Sequence, residues 1–523
     1  HDDIRKIVST YEADIKPNYR FLMDNNLLGT ILFESAEEYE TSENAKVDRI
    51  YKNAKISKAN ENYIPKLKLI SIDLETGENQ KLYCIGLYGE NYKKNFFVNP
   101  SKNKINIKDT EICKNEEEVL EKFKKEIINI DPDIITGWNV IDFDFAFLKN
   151  SFSKNKVPFD LGRDNSNVSV KIQDNFFRNS TVSMVGRQVL DGLNFVRDPF
   201  IQEAPTIRNA SFESYSLENV SMSLLGKGKL IKGKGVERHG EISKMYDSGK
   251  EDDLKKIIEY NLLDAELAYK ILEKTRAIEL SIERSQLTGM PLDRIGGSIA
   301  NFDSLYIRAA NAKGLVSQTM AFTKKEERIT GGYVHTAVAG IYENVLILDF
   351  KSLYPSIIKT FNIDPAALVN KKGKDTIESP NGAYFKNNDG ILPEIIAKLH
   401  SAREKAKKEK RELSSYAIKI IMNSFFGVLA SPNCRYFSME MANAITHFGQ
   451  FIIKLTAKEI EKLGYQVIYM DTDSVFVVTN KKTSECEEIG NKIQTHINSF
   501  YDSYVKKHYN RTSYLELEYE KLY

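Results

Sequence analysis

Apolar and polar residues alternate along Lys66-Leu-Lys-Leu-Ile-Ser-Ile-Asp-Leu-Glu75, the two-residue period of a half-buried strand. Leu82 to Leu87 reads as its neighbour. Asn115 to Ile128 and Asp252 to Lys274 repeat apolar positions at helical spacing, and Asp133-Ile-Ile-Thr-Gly-Trp138 predicts a short buried strand running into a loop. Strands alternating with helices across 66–275 predict a mixed α/β domain. Further on, Val345-Leu-Ile-Leu-Asp349 is a continuous apolar strand ending on a carboxylate. Leu392 to Arg411, heavily basic, and Ser415 to Leu429 predict two helices, and Gln466 to Val478 predicts strand, tight turn, strand. This half predicts a separate α+β domain with a helical insertion. The Lys- and Asn-rich stretch Tyr51 to Asn62 reads as a linker.

A length of 523 residues implies several domains, and 41% hydrophobic with 28% charged residues describes a globular protein with sizeable cores. The net charge of +1 gives no global sign of a nucleic-acid partner, although a large enzyme can gather basic groups along one groove. Cys84, Cys113, Cys434 and Cys486 form no CxxC pair and read as reduced thiols in an intracellular protein. No apolar run approaches the ~20 residues that span a bilayer, so no membrane partner is expected. The start, His1-Asp2-Asp3, has neither an initiator Met nor a signal peptide, and the chain is expected to begin inside a longer protein.

Asp471 and Asp473 flank Thr472 at a hairpin tip, where residues two apart face the same side. Asp349, at the end of another strand, reaches the same place if that strand pairs beside the hairpin. Acids that close repel one another unless divalent cations neutralise them, and oxygen ligands without His or Cys favour Mg²⁺ or Mn²⁺. An isolated Asp-Thr-Asp is more often only a turn. A second set begins with Asp73 and Glu75, two apart on a strand otherwise rich in Leu and Ile, where unpaired acids are costly to bury. Tyr260 and Asp264 lie four apart on one helix face, and Asp142 and Asp144 compete for a ligand role after the Trp138-Asn139 loop.

The longer strings decide against the bland reading. Asp349-Phe-Lys-Ser-Leu-Tyr-Pro-Ser-Ile-Ile358, Lys419-Ile-Ile-Met-Asn-Ser-Phe-Phe-Gly427 and Tyr469-Met-Asp-Thr-Asp-Ser474 resemble motifs A, B and C of family B DNA polymerases (DxxSLYPSII, KxxxNSxYG, YGDTDS). With Gly331-Gly-Tyr-Val334 and Phe361-Asn-Ile-Asp-Pro365, the match most resembles the bacterial DNA polymerase II branch. Ser71-Ile-Asp-Leu-Glu-Thr76, Gly137-Trp-Asn-Val-Ile-Asp-Phe-Asp144 and Tyr260-Asn-Leu-Leu-Asp264 resemble the DEDDy proofreading exonucleases, whose N-x3-FD spacing selects Asp144.

The resemblance implies an α/β and α+β multidomain chain, in which an RNase H-like DEDDy 3′→5′ exonuclease domain precedes a polymerase palm with helical fingers. The expected division is an N-terminal remainder and linker (1–65), exonuclease (66–280), connecting segment (281–340), palm (341–388), fingers (389–432) and palm again (433–523), without a thumb. It implies two Mg²⁺ or Mn²⁺ ions per active site, about 4 Å apart. Asp349 and Asp473 would hold one pair with Asp471 assisting, and Asp73, Glu75, Asp144 and Asp264 the other, with Tyr260 positioning the attacking water. Tyr354 would lie under the incoming sugar and reject a 2′-hydroxyl, which disfavours an RNA-synthesising enzyme. Arg403, Lys407 and Lys419 would meet the triphosphate, and Asn423 and Gly427 the nascent base pair. Asn139, Gly331, Gly332, Tyr333 and Tyr469 would contact DNA.

Primer–template DNA and deoxynucleoside triphosphates are the implied partners, with a sliding clamp engaged through a segment beyond Tyr523. The implied location is the cytoplasm, at the nucleoid of a bacterium or in a phage host. Three positions depart from the pattern: Phe426 for Tyr, Met470 for Gly, adding bulk near the primer terminus, and Ile329 for the Tyr of YxGG. The competing expectations are a fragment acting mainly as a 3′→5′ exonuclease and a scaffold without catalysis. Because both acidic sets are complete, the polymerase reading leads.

Overall fold

The alternation that begins at Lys66 becomes the strand Leu69–Thr76, whose two faces go to different partners. Ile70, Ile72 and Leu74 pack with Phe123 and Ile127 of the helix Glu116–Ile130. That helix is started by the Asn115 side chain, which accepts the Glu118 amide at 3.0 Å. Asp73 and Glu75 point to the opposite face, toward the helix Glu251–Thr275. There Cys84 and Phe97, in register with Glu75, join a core with Ile257, Ile258 and Tyr260. Burial on both sides explains why Leu82–Gly89 reads as a nearly unbroken apolar run.

The sheet has six strands in the order Gln188–Asp191, Ile134–Gly137, Leu69–Thr76, Leu82–Gly89, Tyr92–Val98 and Thr110–Cys113. Its first three strands run parallel, and Leu82–Gly89 is antiparallel to both of its neighbours. The protein is seen in a computed structural model describing residues 10–39, 46–59, 63–77, 80–100, 105–173, 180–230, 236–294, 297–320, 331–335 and 337–523.

The chain separates into two compact units, one of residues 29–286 with 291–296, the other of 1–28, 287–290 and 297–523. The sequence-based division kept 1–65 together, whereas the contacts part it after Leu28. The expected linker at Tyr51–Asn62 is also corrected. Ile50–Lys58 is a strand, paired antiparallel with Ile31–Tyr39 in a two-stranded ribbon. Such a ribbon buries neither face against a core, so its sequence carries no apolar alternation to read. Residues 60–62 lie outside the described ones.

In the other unit, Val345–Phe350 is an inner strand of an antiparallel sheet ordered Val334–His335, Gln466–Asp471, Ser474–Val478, Val345–Phe350, Leu517–Leu522. Leu346, Leu348, Phe350, Val475 and Val477 face a core that includes Ile452 of the helix Met439–Lys462 and Ile497 of the helix Thr483–Tyr509. Val345, Ile468 and Val478 form a small cluster on the other face, the one to which Asp349 belongs by alternation. The basic stretch folds as Ile391–Lys408, followed after a short break by Glu412–Leu429.

Candidate active sites

Asp73, Glu75 and Asp264 each place a carboxylate oxygen within 4.8 Å of the others. Strand period brings the first two together, and the helix Glu251–Thr275 delivers the third across the sheet. Asp144 is not in this group of three. It sits in the π-turn Ile141–Phe145 and accepts the Leu74 amide at 3.1 Å, on the residue between Asp73 and Glu75. Asp142 in the same turn is exposed, while Asp144 is 2% exposed. Burial, then Asp264, pushes Asp73 up to about 8. Burial and its acidic neighbours also raise Glu75 and Asp144 well above the usual carboxylate range. Acids this reluctant to ionise together call for cations.

Several supporting residues escaped the sequence reading. Asn261, fully buried, donates to both the Asp73 carboxylate (2.8 Å) and its backbone carbonyl (2.9 Å), and accepts from Asn95 at 2.6 Å. Gly86 faces Asp73 in register, and a Cβ there would meet Asn261 Oδ1 at 2.4 Å, which explains the glycine. Lys229 donates to Asp264 and, at 3.0 Å, to the Tyr260 hydroxyl. The readable signal was an amide beside Tyr260 on the acid-bearing helix. Lys229, in a Gly- and Lys-rich stretch, gave none.

The second set converges on one end of the five-stranded sheet. Ser474 is in register with Asp349 on one side and Asp471 on the other, and its hydroxyl donates to Asp349 Oδ1 at 2.6 Å. Thr472 turns the hairpin in the left-handed region (φ 49°), and its amide donates to Tyr333 O at 2.9 Å. The Asp473 carbonyl accepts the Phe350 amide at 2.9 Å, tying the turn to the Asp349 strand. Among the described residues, Asp349, Asp471 and Asp473 do not close to the spacing of the first set. Burial, then Asp349 and Asp471, pushes Asp473 up to about 6. Burial raises Asp349 as well, against the Ser474 hydrogen bond and the Lys419 charge.

Tyr354 lies within reach of the Asp473 charge, with its ring centroid 4.7 Å from that of Phe426. The departure at Phe426 therefore keeps an aromatic contact. Arg403 is half-buried with its Nε unpartnered, whereas Lys407 is paired with Glu404 at 2.9 Å. Asn423 and Gly427 are exposed on the helix Glu412–Leu429, and a Cβ at Gly427 would meet nothing within 4 Å. Internal packing thus gives no reason for that glycine.

Gly331 O accepts from Gln450 at 2.8 Å, a Cβ on Gly332 would lie 2.6 Å from Thr472 Oγ1, and Lys454 stands 4.1 Å over the Tyr333 ring. Tyr469 packs edge-on against Phe476. Asn139 adopts φ 62°, and its amide is held by Asp191. Met470 is a correction. The expectation placed its bulk near the primer terminus, but the side chain is 6% exposed within the main core, on the face opposite Asp471. Ile329 lies outside the described residues.

The donors in both sets are hard oxygens without His or Cys, and Asp264 Oδ1 is buried with no partner, so the residues fit a divalent cation. No helix among the described residues is long and apolar enough to cross a membrane.

Comparison with known proteins gives a consistent result. Residues 295–523 match DNA polymerase family B, and residues 8–220 match the DNA polymerase family B exonuclease domain. The chain is 36% identical to DNA polymerase II of Escherichia coli over 98% of its own length and 63% of that protein. It is 30% identical to a DNA polymerase of a Desulfurococcus species over 80% of its length and 53% of that one. The solved family B DNA polymerase of Pyrobaculum calidifontis shares the fold with a TM-score of 0.71 at 21% identity, covering 100% of this chain and 66% of that one. The chain thus spans roughly half to two thirds of these relatives.

Proposed function

The chain belongs to DNA polymerase family B, and on that premise we propose that it extends DNA primers at one acidic centre and trims their 3′ ends at the other. The observation carrying this reading is that acids from distant segments converge twice, once in each compact unit.

At the first centre Asp349 and Asp473, assisted by Asp471, would hold two Mg²⁺ or Mn²⁺ ions. At the second, Asp73, Glu75, Asp144 and Asp264 would do so. When bound, such ions neutralise the acids and lower the pKa of a coordinated hydroxyl or water. The chain's own groups do the rest. Ser474 orients Asp349 through its hydroxyl. Tyr354, braced on Phe426, walls the space where a 2′-hydroxyl would project, selecting deoxynucleotides. Arg403, with a donor to spare, and Lys419 meet the triphosphate, and Lys407 joins them on leaving Glu404. Asn423 and the open surface of Gly427 meet the nascent base pair.

For trimming, Asn261 fixes the Asp73 carboxylate, and the Tyr260 hydroxyl positions the attacking water. Asn139, Gly331, Gly332, Tyr333 and Tyr469 supply DNA contacts. The substrates are primer–template DNA and deoxynucleoside triphosphates.

Two substitutions test the reading. Asp473→Ala abolishes nucleotide incorporation and spares degradation of single-stranded 3′ ends, and Asp73→Ala does the reverse. Loss of both activities from either single change, with folding intact, refutes two independent centres.

A further inference from the structure

Asp191 ends the strand Gln188–Asp191 and is 3% exposed. Four backbone amides hold its carboxylate. Oδ1 accepts Asn139 at 3.1 Å, Leu193 at 2.9 Å and Asn194 at 3.4 Å, and Oδ2 accepts Ile141 at 3.1 Å. The Leu193 and Asn194 bonds are those of an ordinary N-cap on the short helix Gly192–Arg197. The Asn139 and Ile141 bonds are not. They cross to a different segment 50 and 52 residues earlier, adjoining the parallel pairing of Asp191 with Gly137.

That segment has little freedom elsewhere. A Cβ on Gly137 would lie 2.6 Å from Ile72 O, Asn139 is left-handed, and the Phe143 amide returns to Asn139 O at 3.0 Å. Ile141 opens the π-turn, and three residues later Asp144 reaches the Leu74 amide between Asp73 and Glu75. Asp191 is therefore joined to Asp144 by its hydrogen bond to Ile141 and by the short π-turn that Ile141 opens.

We propose that Asp191 is a positioning residue of the trimming centre, fixing the Asn139–Ile141 turn so that Asp144 stands at the Asp73–Glu75 strand. Asp191 touches neither substrate nor cation. Its effect is on how tightly the acids hold cations, as expected of a group supporting metal ligands from behind. The inference rests on the trimming function proposed above.

The test uses Asp191→Ser in the 523-residue chain. Serine still caps the helix but cannot span to Ile141. Trimming of a single-stranded 3′ end is titrated with Mg²⁺, beside primer extension and thermal melting. The Mg²⁺ midpoint for trimming should rise about 10- to 100-fold, with partial recovery at saturating Mg²⁺ and unchanged extension. An unchanged midpoint in a folded variant overturns the proposal and leaves Asp191 a helix cap. Should Asp191→Ser melt, Asp191→Asn, which opposes an amide donor to the Ile141 N–H, reads the same midpoint. No trimming by the unmutated chain at any Mg²⁺ concentration refutes the underlying function instead, and this inference with it.

Discussion

The Ser474 hydroxyl and the Asp349 carboxylate meet at 2.6 Å across paired strands, a side-chain link between the turn of one motif and the strand end of another. This bond favours the ionised acid against burial and the nearby Glu520 and Glu518 charges. Ser474→Ala should move the acidic limb of the extension pH profile upward and leave trimming unchanged. A superimposable profile would show that the serine is a bystander.

Gly86 and Asn261 make a second pair whose spacing is exacting. A methyl group at Gly86 displaces the amide that holds Asp73. Gly86→Ala and Asn261→Ala should each lower trimming by about 10- to 100-fold while primer extension holds. Degradation of a labelled single strand measures this, and wild-type trimming by Gly86→Ala sinks it.

Proton linkage gives a third expectation. Asp73, raised from 3.8 to about 8, keeps its proton in the folded chain where the unfolded chain has lost it. Its contribution to stability is therefore full below pH 3.8 and is lost as pH rises to about 8. In EDTA the melting temperature of Asp73→Asn should decline less than that of the unmutated chain over this window. Mg²⁺ should stabilise most at its upper end, where the acids are ionised. Parallel melting curves for the two chains would contradict the assignment.

Met470, buried in the core, is expected to matter for stability alone. Met470→Ala should cost about 2–5 kcal/mol by denaturant unfolding. Misincorporation frequency should stay at the wild-type level, and a changed error rate would return this side chain to the primer.

Sequence pattern revealed what obeys a period. Leu69–Thr76 announced itself by alternation, and Val345–Phe350 and the hairpin at Thr472 by apolar runs ending on acids. Asp144 was separable from Asp142 by motif spacing alone. The ribbon Ile31–Tyr39 with Ile50–Lys58 stayed hidden because it packs on no core. Lys229 and Asp191 were illegible for another reason. Each acts through contacts more than 30 residues away in sequence, which no local pattern encodes.

The two acidic centres differ in how much of their water is removed by folding itself. Glu75, Asp144 and Asp264 are walled in by a sheet covered on both sides, whereas Asp349 and Asp473 are only half-covered and Asp471 lies open. On the proposed function, the trimming centre would lose much of its water once, when the chain folds, before any 3′ end enters. The building centre would instead lose its water in each cycle, as nucleotide and duplex cover it, so a poorly fitting pair would leave it wet and slow.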